Sequence, residues 1–129
     1  SLRDLGLRNV RGDYVLLTNA DNYFIPRAIE FINEVLILHN PDVVIFDMVH
    51  SHEFPGKRNL PAYSFFETSF KRNSIDMSAA IVKSPLAEKA GFRDKTFAGD
   101  ATYFEDVVKA KYPESLSFVK IRRILFVHN

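Results

Sequence analysis

Apolar residues in this chain fall into short continuous runs and helical stripes, separated by polar punctuation. Tyr14, Val15, Leu16, Leu17 and Thr18 make a β-rich run without polar alternation, the pattern of a strand buried on both faces of a parallel sheet. It empties into a polar loop, Asn19-Ala20-Asp21-Asn22. Pro26 then suits the first turn of a helix, in which Ala28, Ile29, Ile32, Val35 and Leu36 recur at three- and four-residue spacing while Arg27, Glu30, Asn33 and Glu34 fill the other face. Asn40-Pro41-Asp42 stops that helix, and Val43-Val44-Ile45-Phe46 resumes the buried-strand pattern. A strand, helix, strand crossover follows, and with it an α/β sheet.

From residue 51 to residue 73 no period is sustained, which predicts a long loop with room for a short strand. Residues 79–82 read as a strand. Ser84-Pro85 and Gly91 frame a short helix by the rule of a capping residue at the start and glycine at the end. Asp100 is placed to cap a further helix carrying Tyr103, Phe104, Val107 and Val108 on one side. Two β-rich runs, 116–120 and 124–127, lead to His128-Asn129. There is no internal repeat, low-complexity stretch or Gly/Ser linker, so residues 1–129 are expected to form a single domain.

Composition narrows the functions. With 129 residues, 47% of them hydrophobic, the chain can bury one core. Its 17 lysines and arginines against 16 aspartates and glutamates leave a net charge of +1, so no global field exists to grip nucleic acid or an anionic membrane. Absence of cysteine rules out a disulfide framework and a thiolate metal site, and fits a reducing, cytoplasmic setting. No apolar run reaches the roughly 18 residues of a membrane-spanning helix. The start at Ser1, without Met, suggests an excised or processed piece.

Asp21 is the first candidate for chemistry. In open α/β sheets ligands bind at the carboxyl ends of strands, and a carboxylate there can hold Mg2+ or Mn2+ when substrate phosphates complete the shell. The same Asp21 and Asn22 also read as turn and cap residues before the Pro26 helix. His128 is delivered by an apolar strand, and a neutral imidazole is a reasonable manganese ligand. His50 and His52 alternate on one face of a strand. The basic pairs Lys57-Arg58, Lys71-Arg72 and Arg122-Arg123 can meet a diphosphate or simply face solvent. The aromatics Tyr63, Phe65, Phe66 and Phe70 offer an interaction surface.

The order Arg8-Asn9, Gly12-Asp13-Tyr14, then a strand ending in Asn19-Ala20-Asp21-Asn22 with Pro26 beyond, resembles the segment of family-2 glycosyltransferases that ends in a DxD motif. Gly91-Phe92-Arg93-Asp94, running on to Gly99-Asp100, resembles that family's later Gly-Phe-Asp-Glu stretch. The resemblance implies a GT-A-like, Rossmann-like α/β fold with a mostly parallel sheet flanked by helices, entered at mid-domain so that the family's N-terminal strands are missing. It implies an inverting transfer of a sugar from a nucleotide-diphosphate donor to a carbohydrate or lipid-linked acceptor. In it, Asn19 and Asp21 would contact the donor diphosphate, Asp21 and His128 would hold Mn2+ or Mg2+, and Asp100 would act as general base, with Asp106 as the alternative. Asn19 stands where the motif has its first Asp and brings no charge. A non-catalytic GT-A-like domain that binds nucleotide-sugar or a protein partner is the competing expectation.

Overall fold

A computed structural model describes residues 12–18, 22–52, 62–93 and 99–128. Their strands are β1 (Tyr14–Val15), β2 (Tyr23–Phe24), β3 (Val43–Ser51), β4 (Tyr63–Phe66), β5 (Ala80–Lys83) and β6 (Phe118–His128). The helices are α1 (Ala28–His39), α2 (Ser84–Ala90) and α3 (Gly99–Lys111), with a 3-10 turn at Met77–Ala79. These strands build one six-stranded sheet in the order β1-β5-β3-β6-β2, with β4 continuing the β5 edge of β3.

Strand β3 organises both layers. Its alternation sends Val43 and Ile45 into a core with Ala80, Val82, Phe92, Tyr103, Phe104 and Val107, under α2 and α3. Val44, Phe46 and Met48 go to the other face, with Ala28, Ile32, Ile81, Leu125 and Phe126, under α1. The result is a helix, sheet, helix sandwich of the α/β class, as expected.

Strand directions depart from the mostly parallel expectation. Among the described pairings only β3 with β6 is parallel; β1–β5, β2–β6, β3–β4 and β3–β5 are antiparallel. Of the three strands that run one way, β3 and β6 are neighbours and the returning β5 lies between β1 and β3, while β2 and β4 return along the outer edges of β6 and β3. For the same reason β1 is not buried on both faces: it lies at one end of the described strand order, paired to β5, and its residues are half-buried.

Helix α1 stops where anticipated. Asn40 takes the left-handed conformation (φ 44°, ψ 49°) and its N–H bonds to Leu36 O at 3.0 Å, a conformation Asn tolerates better than most residues. Pro26 lies just ahead of the helix, and Ile29, 64% exposed, lies off the buried stripe of Ala28 and Ile32. Ser84 is the first residue of α2 and does not cap it; its hydroxyl donates to Gly12 O across the sheet.

The two C-terminal runs are one strand. In β6, Phe46 and Asp47 of β3 face Ile121 and Ile124, so Arg122 and Arg123 bulge out of the ladder. Arg123 caps the ring of Phe31 at 4.6 Å. No helix of the described residues is long and apolar enough to cross a membrane.

At the start of β3 the buried carboxylate of Asp42 accepts from Ser117 N (2.9 Å) and from Lys111 Nζ (3.2 Å). Burial pushes its pKa up, but the bonds from Ser117 and Lys111 outweigh this and hold it below the ordinary carboxylate value of 3.8. A depressed folded-state pKa stabilises the fold above the unfolded value and stops doing so as pH falls through the folded one. Asp42→Ala should therefore cost about 3 kcal/mol at pH 7, and the gap to wild type should shrink below pH 3.8. Urea unfolding at neutral and acid pH measures both; a gap independent of pH would remove Asp42 from the acid limb.

Candidate functional site

Because β1, β3 and β6 run one way, their carboxyl ends meet at one edge of the molecule, together with the 3-10 turn that leads into the antiparallel β5. This is the edge at which ligands bind in open α/β sheets. Five polar side chains meet at the turn. The carboxylate of Asp76 accepts from Ser78 N–H (2.8 Å). Asp100, in the first turn of α3, accepts through Oδ2 from Met77 N–H (3.0 Å). Ser78, 1% exposed, places its Oγ 3.2 Å from Leu17 O and 3.1 Å from Thr18 Oγ1, and accepts from Asn22 Nδ2 at 3.3 Å. Its single proton serves one acceptor at a time.

Histidines line the adjoining strand ends. His50 of β3 faces His128 of β6 across the parallel ladder, ring centroids 4.9 Å apart, and stacks with His52 at 6.1 Å. His52 Nε2 lies 2.7 Å from Ser64 Oγ of β4. His128 Nε2 lies 3.4 Å from Asp76 Oδ2. Burial is the largest cause holding the His50 imidazolium below the usual histidine range, the positive forms of His128 and His52 add to it, and Asp76 opposes it.

Of the residues singled out from sequence, Asp100 and His128 thus come to the same turn. Asp100 is not the residue ahead of its helix but sits inside the first turn, where a carboxylate is favoured by the helix dipole, and it grips a neighbouring segment. Asp106 lies about 240° further round α3 and is held in a two-point ion pair with Arg93 at 2.7 and 3.2 Å. Asn19 and Asp21 lie outside the described residues, but both flanks of their loop, Thr18 and Asn22, are tied to Ser78. Arg72 pairs with Glu105 on α3 (2.7 Å), and Arg122-Arg123 sits in the β6 bulge. Lys57-Arg58 falls outside the described residues. Among the described residues no three His, Asp or Glu side chains gather closely enough to hold a metal ion.

Asp76 and Ser78 went unnoticed in the sequence. Their signal was weak: two polar residues just ahead of a predicted strand, which matter only once that strand is known to run against its neighbours.

No family model and no curated protein matches the sequence. Solved structures do match in fold. The crystal structure of residues 1–349 of Staphylococcus aureus TarS, a glycosyltransferase, aligns over 98% of this chain with a TM-score of 0.66 and 14% identity. The same TarS segment in complex with UDP-GlcNAc gives 0.66 over 96% at 13% identity, and with UDP 0.64 over 97% at 18%. The chain spans about two fifths of that TarS segment, 39% in the first comparison. The fold is therefore glycosyltransferase-like.

Among the described residues the hydroxyl of Ser78 bonds on both sides of residues 19–21, to Thr18 and to Asn22. Ser78→Ala removes a buried hydroxyl that bonds part-buried partners and should lower the unfolding free energy by about 1–2 kcal/mol. Ser64→Ala, which removes one contact at the rim, should cost less than about 1 kcal/mol. Chemical denaturation of the two variants side by side checks the order; equal costs would show that Ser78 does not carry the network.

Proposed function

We propose that this chain is the later part of a family-2, GT-A-type domain that transfers a sugar from a nucleotide-diphosphate donor, with inversion, to an acceptor hydroxyl. The observation that carries this is the meeting of Asp100 and His128 at the Asp76–Ala79 turn, against the carboxyl end of the strand that leads to Asp21. The shared fold with TarS, solved with UDP-GlcNAc and with UDP, supports a nucleotide-sugar as the donor class.

In this reading Asp100 accepts the proton of the acceptor hydroxyl as its oxygen attacks the anomeric carbon and the bond to the diphosphate breaks. The bond from Met77 N–H fixes one carboxylate oxygen and so sets the base's direction. Mn2+ or Mg2+, held by Asp21 and His128, would offset charge on the departing diphosphate. The oxygen and imidazole donors at this edge suit such a cation, which commonly takes one or two carboxylates and leaves the rest of its shell to phosphates. A groove floored by Ile75, Ala101 and Phe104 opens one residue from both Asp76 and Asp100, beside Phe70. Its apolar lining suits the face of a sugar ring or a lipid-linked acceptor.

Asn19 favours a second reading, in which the site binds nucleotide-sugar without turnover, because a neutral amide weakens cation binding at that position.

One experiment separates them. Transfer from UDP-GlcNAc, and its hydrolysis without acceptor, are measured in the protein that carries this chain. Asp100→Asn should lower kcat by about 10²- to 10⁴-fold with KM for the donor little changed. Asp21→Asn should abolish the activity, and added Mn2+ should not restore it. Wild-type rates in both variants would discard the transferase reading, and donor binding with no turnover in the wild type would establish the second.

A further inference from the structure

Asp76 and His128 stand within ion-pair distance of each other, and each is held in place from its other side. Oδ1 of Asp76 is occupied by Ser78 N–H at 2.8 Å, which locks the carboxylate and presents Oδ2 to His128. The turn is fixed from its other side by Asp100 on Met77 N–H. His128 is held in register opposite His50 by the parallel ladder. Both side chains keep some exposure, 26% for His128 and 21% for Asp76, so a small ion can reach them.

Nε2 and Oδ2 stand 3.4 Å apart, beyond the usual N–H···O distance of about 2.9–3.0 Å. Two donors that far apart are both within reach of one cation through bonds of about 2.1 Å. An exposed histidine–carboxylate pair by itself contributes little to stability. No third described His, Asp or Glu joins them, so the remaining positions would go to water and to the nucleotide's phosphates, the usual arrangement for magnesium and manganese.

We propose that Asp76 is a ligand of the divalent cation, paired with His128, and supplies at this edge the negative charge that Asn19 does not bring. The proposal rests on the transferase reading, but its test does not read activity. Manganese is titrated into the protein with and without UDP, free Mn2+ being followed by its electron paramagnetic resonance signal. UDP should tighten binding in the wild type. Asp76→Asn, whose amide oxygen still accepts from Ser78 N–H, and His128→Gln should each weaken binding at least about tenfold. Asp76→Cys should lose manganese and gain cadmium, since a thiolate prefers the softer ion; a residue that only shaped the turn would not switch metals.

Wild-type manganese affinity in Asp76→Asn would overturn the proposal, as would an Asp76→Cys form that keeps manganese and ignores cadmium. If His128→Gln weakens binding while Asp76→Asn does not, the Asp76 assignment falls and the transferase reading stands. If the wild type binds no manganese even with UDP, the assignment falls together with the cation dependence of that reading.

Discussion

The pairing of β3 along both edges, with both faces buried, is the constraint on which the rest depends. Val43, Val44, Ile45, Phe46 and Met48 are each at most 1% exposed, and burying side chains of this kind stabilises by about 1.5–3 kcal/mol apiece. A one-residue slip would exchange the two cores, so the register is strongly fixed. That register then governs what emerges at the strand ends. Seven steps along β3, from Val43 to His50, take ten along β6, from Phe118 to His128; the bulge absorbs two of the three extra residues and a second shift, at Leu125, absorbs the third. Without these two irregularities Leu125, not His128, would face His50. The two arginines thus supply two of the three extra residues that bring a histidine to the edge.

The Asp76–Ala79 turn converts that backbone geometry into a polar site. It lies where an antiparallel strand begins among parallel strand ends, so its amides are offered to side chains from elements far apart in sequence. Met77 N–H goes to α3 through Asp100, Ser78 N–H goes to Asp76, and the Ser78 hydroxyl goes to the residues around the β1 loop. Buried polar groups this close to the sheet must be satisfied, and satisfying them holds the two sides of the edge in fixed relation. Stability and positioning are here the same set of bonds.

What was legible in the sequence follows from how local each signal is. Helix α1, its stop at Asn40, the body of β3, strand β5 and helix α3 are written in spacing and punctuation within a dozen residues, and they stand where read. Strand β2 is only Tyr23–Phe24 and exists because β6 lies beside it, so no local run announces it. Strand direction is likewise a property of the assembled sheet, which is why a mostly parallel arrangement was expected and a mixed one is found. The different surroundings of Asp100 and Asp106 depend on the phase of α3 against its neighbours, which spacing alone does not give: one faces the turn, the other faces Arg93. Ser84 looked like a helix cap because its type and place fit, yet its hydroxyl serves Gly12 instead.

Charge at the strand ends bears on how a diphosphate would be received. With a net charge of +1, the chain has no long-range field to draw an anion in. Several of its basic side chains are already engaged with carboxylates elsewhere: Arg72 with Glu105, Arg93 with Asp106, Lys83 and Lys111 with Asp42, and Lys120 with Asp47. At the edge itself stand Asp76 and Asp100, beside a His50 whose charged form is disfavoured by burial. Such a surface repels a bare diphosphate and attracts a cation. In the transferase reading proposed above, a divalent ion would let these carboxylates favour a diphosphate donor instead of opposing it.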